Sequence, residues 1–306
     1  IPRDYRGETT IGQSCLVDYN NSKVLWSYHG NEEGQIASMT KMMLMFSTYA
    51  LVDSGVISLF DTVDVSDEAP LMGGSQAYLD RGERYTVAQL MTAVAVCSAN
   101  DAAYLLAQYI GDIDDSSGVY GGIRLMNEFG KRMGLRRTHF FNAHGLPPAR
   151  SWYKNLGEGV AVQKYKKRDM IVAIEANRST PIEMAKLGSA YCNYPRLLLY
   201  SNILRGDFWD ADSSRVFGPY KMNNHFKPIR RADVDGIKTG YTSGAGFCVT
   251  ASAERSGQRL IAVVFGAKSQ EIRDKFIVQL FETAFDSLGI PLDTIPDDTT
   301  STELES

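Results

Sequence analysis

Ser38 and Lys41 stand three residues apart at the head of a dense apolar run. Ser98 and Asn100 lie in a short polar segment between two helical stretches, and Lys238-Thr239-Gly240 closes a short β-rich stretch. Together these residues supply the groups that acyl transfer through a serine needs. A serine hydroxyl is a poor nucleophile until a neighbouring base takes its proton. Residues three apart on a helix share a face, so Lys41 can be that base, but only as a neutral amine. A free lysine has a pKa of about 10.4, which burial and a second nearby cation both lower. The apolar run after Lys41 supplies burial, and Lys238 is the obvious second cation. Ser38 near a helix start also has an unpaired backbone N–H free to face an oxyanion.

Each motif has a plainer reading. Ser38-x-x-Lys41 also describes a helix cap followed by a surface lysine, and such a match arises by chance about once in a chain of this size. The Ser98 hydroxyl can relay a proton to a leaving amine, and the Asn100 carboxamide can hold a substrate amide while bonding Lys41. Both residues are also favoured helix N-caps, and both readings can hold together. Gly240 has no side chain, so a substrate can lie against the edge of its strand. Lys238 and Thr239 then offer a charge and a hydroxyl to a carboxylate, and the N–H of Tyr241 is a second oxyanion donor. Asp235-Gly236 and Gly240 equally suit a β-turn after an edge strand.

The bulk numbers exclude several functions. The 306 residues are 44% hydrophobic and 22% charged, ordinary for a globular chain with a sizeable core. A net charge of −4 with no basic stripe gives no footprint for nucleic acid. Residues 164–168 form a short basic run that reads as a solvated loop. The four cysteines, Cys15, Cys97, Cys192 and Cys248, are widely spaced and read as free and structural. Without C-x-x-C or H-x-x-x-H spacing, neither a metal nor another cofactor is expected. No apolar run is long enough to span a membrane. The chain begins at Ile1, which fits a removed secretory signal.

These residues must be positioned by strands at both ends of the chain and helices between. Residues 15–29 read as a β-hairpin around Asn20-Asn21. A helix buried nearly all round follows Ser38 and ends by Gly55. Thr86-Val87-Ala88-Gln89 is a capping box opening a helix to about Cys97. A further helix follows Asn100 and stops near Gly111, and another runs from Ile123 to Met133, ending at Gly134. Thr180-Pro181-Ile182-Glu183 is a second capping box with proline in the first turn. The middle of the chain is therefore mainly helical. Residues 246–253 and 259–267 read as strands joined through Ser256-Gly257, and a helix spans about 270–288. If both ends meet in one sheet, a cleft opens between it and the helices. The chain is one catalytic unit over residues 1–290, with its sheet part at about 1–37 and 215–290 and its helical part at about 38–214. The polar tail, residues 291–306, reads as disordered.

With the three motifs in this order, the chain resembles the serine D-alanyl-D-alanine carboxypeptidases, the low-molecular-mass penicillin-binding proteins of bacterial cell-wall metabolism. The surroundings carry the resemblance further: Gly74-Ser75-Gln76-Ala77-Tyr78-Leu79 with Gly82-Glu83, Ser98 to Ala103, the stretch from Thr138 to Leu146, and Asp235 to Thr242 followed by Ala245-Gly246-Phe247. It covers about residues 10–290. It implies an α+β fold of the DD-peptidase/β-lactamase type: a five-stranded, mainly antiparallel sheet flanked by helices, plus an all-helical lobe. It implies a catalytic set of Ser38, Lys41, Ser98 and Asn100, with Lys238, Thr239, Gly240, Tyr241 and Arg273 binding substrate. Arg273 matches an arginine that helps hold the terminal carboxylate; a helix-surface charge is the alternative. The implied partners are peptidoglycan stem peptides ending in D-Ala-D-Ala and β-lactam antibiotics, met outside the cytoplasmic membrane.

The match has departures. Ile36 stands where proline is common, and Ser179-Thr180-Pro181-Ile182-Glu183 replaces the family's usual S-T-A-x-D. Residues 151–177 look like an insertion of mixed charge, most simply surface elaboration. The C-terminal β-rich domain and amphipathic membrane anchor of many members are not present in this chain. A class A-like β-lactamase is the nearest rival. It needs a water-activating carboxylate, and Glu158 and Glu175 lie in the right region but outside an E-x-x-L-N context. A non-catalytic wall-binding or β-lactam-sensing protein is the rival from another class, against which the intact Ser38, Lys41 and Lys238 argue.

Overall fold

The computed structural model describes residues 1–210 and 220–291; the tail expected to be disordered lies, beyond Pro291, outside the described residues. The N-terminal hairpin forms as expected, with β1 (Gln13–Asp18) and β2 (Val24–Tyr28) antiparallel. The last third gives β6 (Val234–Thr242), β7 (Gly246–Arg255) and β8 (Gln258–Ala267). Strand β1 pairs with β8, so the two ends of the chain close one antiparallel sheet in the order β6-β7-β8-β1-β2. The β7–β8 turn uses Ser256 and Gly257, both at positive φ (49° and 78°), the twist a two-residue hairpin prefers.

Strand alternation divides the core. Ile261, Val263 and Phe265 of β8, with Cys15 and Val17 of β1, face a cluster that includes Met184 and Leu187. Leu260, Ala262 and Val264 face the other way, onto Phe276, Ile277, Phe281 and Phe285 of the last helix. Period-2 patterning thus gives the sheet two apolar faces, each covered by a helix. All four cysteines are free and buried.

The helices between are α1 (Lys41–Asp53), α2 (Val87–Val96), α3 (Asn100–Asp115), α4 (Gly118–Arg132), α5 (Pro181–Cys192) and α6 (Pro195–Asn202), with α7 (Gln270–Ser287) after the sheet. In α1 every residue from Lys41 to Tyr49 is buried, as its unbroken apolar run requires. Thr86 and Gln89 form the expected reciprocal capping box on α2. On α5 only half of the second box forms. Thr180 accepts from the N–H of Glu183, but the Glu183 carboxylate turns away to Arg136 N, Arg137 N and the Thr138 hydroxyl.

Two expectations are corrected. Helix α3 does not stop near Gly111 but continues to Asp115. Gly111 is a contact residue: a Cβ there would lie 1.9 Å from Gly118 O and 2.4 Å from Gly122 N, and one at Gly122 would lie 2.0 Å from Ala107 O. The two glycines let α3 and α4 touch backbone to backbone. The middle of the chain is also not helical throughout. The residues read as a surface insertion form a three-stranded antiparallel sheet, β3 (Lys154–Gly157), β4 (Val160–Tyr165) and β5 (Arg168–Ala173). The basic run is the β4–β5 hairpin tip, with Lys166 and Lys167 exposed and Arg168 paired to Asp67.

Candidate active site

Ser38 sits in a short 3-10 turn, Ala37–Thr40, that runs directly into α1. Ala37 holds φ +45°, a conformation that costs a non-glycine residue energy and collects at functional sites. The turn places Lys41 Nζ 3.0 Å from Ser38 Oγ, 2.7 Å from Asn100 Oδ1 and 2.6 Å from the His144 carbonyl oxygen. Lys41 is wholly buried. Burial first, and the charge of Lys238 second, hold its pKa well below the ordinary lysine value. A neutral amine has two N–H donors and one lone pair. Asn100 Oδ1 and His144 O take the donors, which leaves the lone pair for the Ser38 hydroxyl. This is the arrangement a general base requires.

Ser98 and Asn100 lie where α2 gives way to α3. Ser98 is nearly buried with φ +59°, so the chain reverses sharply there. Neither caps α3: the N-cap is Ala99, with no side-chain cap, and Asn100 is the first helical residue. The Asn100 amide instead spans the site, accepting from Lys41 and donating 2.6 Å to Gly73 O. Asp101 accepts from the N–H groups of Ala77, Leu79 and Ala102, which fastens the 74–79 loop to the helix start.

Strand β6 is an edge of the main sheet and carries the third motif within its length, not in a turn after it. A Cβ on Gly240 would lie 2.8 Å from Ile36 O and 3.0 Å from Ser38 N, so only glycine lets this strand approach the nucleophile's turn. Lys238 and Thr239 are buried beside it. Burial and the Arg273 guanidinium push Lys238 down to about 7. Tyr241 is exposed, its ring tilted against Phe247. Arg273 is not a surface charge: it is 3% exposed, and its guanidinium meets the Asp274 carboxylate and lies over the Phe226 ring. Among the described residues no three His, Cys, Asp or Glu side chains gather to hold a metal ion, and no helix is long and apolar enough to cross a membrane.

The family model for D-alanyl-D-alanine carboxypeptidases (peptidase S11) matches residues 5–269. The chain belongs to this family. Among its relatives is the D-alanyl-D-alanine carboxypeptidase DacF of Bacillus subtilis, 30% identical over 280 residues, which are 89% of this chain and 61% of that protein. The chain thus spans about three fifths of the length of the curated relatives it matches. Penicillin binding protein 6B from Escherichia coli is 26% identical and superimposes with a TM-score of 0.72 over 92% of this chain and 78% of its own. Penicillin-Binding Protein D2 from Listeria monocytogenes, solved in an ampicillin-bound form, gives a TM-score of 0.70 over 93% of this chain and all of its own. At 24% identity that likeness speaks for the fold alone.

Within this S11 chain several site residues had no side-chain signal. The contribution of His144 is its backbone carbonyl. Its half-buried ring accepts from Leu146 N and is pushed down to about 3, first by desolvation and then by Lys41. Gly145 holds φ +83° with its Cβ position 2.1 Å from Ala37 O, so the carbonyl is presented by a turn only glycine can make. Asn142 caps that turn through His144 N and Gly145 N. Buried Asn177 then ties it to the nucleophile's turn, donating to Thr40 Oγ1 and Asn142 O and accepting from Phe141 N. The quoted stretch Thr138 to Leu146 contained the turn. Asn177, at the end of the insertion, had no pattern around it. His225 was also unread: burial and the charges of Lys238, Arg273 and Lys41 push its pKa down to about 4.

Proposed function

We propose that this chain is a serine D-alanyl-D-alanine carboxypeptidase that removes the terminal D-alanine from peptidoglycan stem peptides. The observation that carries the reading is the buried Lys41 amine, 3.0 Å from Ser38 Oγ with its other partners on Asn100 and His144. Lys41 takes the Ser38 proton as Oγ bonds to the carbonyl carbon between the last two D-alanines. The N–H groups of Ser38 and Tyr241 face the resulting oxyanion. The intermediate collapses, and the D-alanine amine leaves with a proton returned from Lys41 through the Ser98 hydroxyl. Water then attacks the acyl ester, Lys41 again serving as base, and Ser38 is restored.

Lys238 and Thr239 hold the departing terminal carboxylate. Arg273, already paired with Asp274, adds its charge from behind Lys238. A β-lactam presents a similar carbonyl and carboxylate and acylates Ser38. Both the wall and these drugs are met outside the cytoplasmic membrane.

The β-lactamase reading loses support, because Glu158 binds the Tyr120 hydroxyl and Glu175 pairs with Arg178. Neither bonds any group around Ser38. The test is penicillin labelling with peptide mapping, alongside D-alanine release from a D-Ala-D-Ala peptide. A long-lived adduct on Ser38 together with release is expected. Rapid penicillin turnover would favour the β-lactamase. Peptide binding without release would favour a sensor, and an adduct mapped elsewhere would defeat the assignment.

A further inference from the structure

On the Asn100 side of the nucleophile lies a groove of about 210 Å³, walled by Leu71, Met72, Leu146 and Met170, with Gln163 and Tyr165 at its rim. It is continuous with the catalytic network. Gly73, whose carbonyl holds Asn100, and His144, whose carbonyl holds Lys41, both line it. Its far wall is supplied by β4 and β5 of the inserted sheet. That wall is fixed in place. Ala149 N donates to Ala173 O, Ile174 N to Gly159 O, and Arg168 pairs with Asp67 on the loop leading to Leu71.

The groove's size and lining restrict its occupant. Drug-sized ligands fill roughly 300–1,000 Å³, so this groove takes one side chain and not a whole ligand. Its walls are apolar, which suits a linear aliphatic chain. Beside the rim stand two lysines that no carboxylate neutralises. Lys164 is paired with Asp169 and Arg168 with Asp67, but Lys166 and Lys167 meet no carboxylate among the described residues, and Lys166 Nζ lies over the Tyr165 ring, 5.6 Å from its centroid. Tyr165 lines the groove, so the Lys166 cation stands against the back of its wall.

We propose that the inserted sheet builds a subsite for the stem-peptide residue that precedes the two D-alanines. The subsite selects a diamino acid whose long side chain ends in a carboxylate over one ending in an amine alone. The proposal rests on the carboxypeptidase reading above. The D-alanine side of the cleft holds Lys238 and Arg273, and the opposite side holds this apolar channel with Lys166 against its wall. A substrate with a carboxylate at each end and an aliphatic chain between them complements both.

The test uses acetyl-L-Ala-D-γ-Glu-X-D-Ala-D-Ala peptides with X as meso-diaminopimelate, L-lysine or L-alanine, scored by D-alanine release. The parent protein should prefer diaminopimelate over lysine by about three- to fivefold in kcat/KM, the range of an exposed charge contact. Lys166→Gln with Lys167→Gln should bring that ratio towards one. Ala149→Phe, which fills the groove, should raise KM for both long side chains relative to the alanine peptide. Equal rates on diaminopimelate and lysine peptides, or a ratio the double variant leaves unchanged, would overturn the subsite and leave the carboxypeptidase reading standing. No release from any peptide by folded protein would overturn both.

Discussion

Lys41 is wholly buried, and its amine is surrounded by Ser38 Oγ, Asn100 Oδ1 and His144 O, whereas Lys166 sits exposed on a hairpin tip above a tyrosine ring. One residue type thus serves opposite ends of lysine chemistry. At the floor of the cleft, desolvation lowers the lysine pKa and so favours the neutral amine a base needs. On the inserted sheet, the side chain stands in water and serves long-range attraction. The same contrast runs through the surroundings. The floor is held by buried hydrogen bonds among Asn100, Asn142, Asn177 and Thr40, each costly to lose, while the inserted sheet is tied down by backbone pairing and a solvent-facing ion pair.

If that contrast is right, substitutions on the floor should far outweigh those on the insert. Lys41→Ala should slow penicillin acylation by about 10²- to 10⁴-fold, read as the rate of adduct formation on Ser38. A residual rate close to the parent's would remove Lys41 as the base. Gly145→Ala forces a Cβ against Ala37 O at φ +83°. It should cost about 2–4 kcal/mol of stability in denaturant titrations and slow acylation as the His144 carbonyl moves. Asn177→Ala should cost about 2–3 kcal/mol by leaving the Phe141 N–H without its acceptor and removing the donors to Thr40 Oγ1 and Asn142 O.

A smaller effect concerns pH. Lys238 is held near 7 in the folded protein, below the ordinary lysine value of 10.5. As pH rises through about 7 its charge is lost, so KM for a carboxylate-ended peptide should climb while that for the amidated peptide stays level. For stability the sign is opposite. Between about 7 and 10.5 the unfolded chain binds the proton that the folded one has shed, so this group makes the fold more stable as pH rises. A KM that is level across this range would show that the charge of Lys238 does not hold the substrate. Arg168→Gln should have the smallest effect. The melting temperature should stay within error of the parent, and only proteolysis at the hairpin tip should quicken.

How far the sequence reveals this molecule depends on which atoms carry the signal. Ser38, Lys41, Asn100 and Lys238 act through side chains at short, fixed spacings, so their convergence could be read before any geometry. His144 acts through a carbonyl, which every residue has, and only the neighbouring glycine marks its special turn. Gly111 was misread as a helix stop because a glycine that ends a helix and one that admits a neighbouring helix are the same letter. The inserted sheet was missed for another reason. Its two longer strands, 160–165 and 168–173, block their apolar residues together instead of alternating them, and its tight turn is made by Lys166 and Lys167 at φ 47° and 68°, where asparagine and glycine are the usual markers.

The main sheet ends at β6, and that ending has a consequence for self-association. Most proteins blunt an outermost strand with proline, a bulge or inward charge, because its unpaired backbone recruits other chains. Here the outermost strand must stay flat and open at Gly240, since any larger residue would push it off the nucleophile's turn. The turn packs against this strand from the side its Cβ would occupy: Ile36 O, Ser38 N and Met39 N all lie within 3.1 Å of where a Cβ on Gly240 would sit, so one face of β6 is covered there while its edge stays free. Mutations that loosen the 37–40 turn should therefore do more than slow chemistry. They would bare an apolar face beside an edge that is already open, and aggregation would accompany the loss of activity.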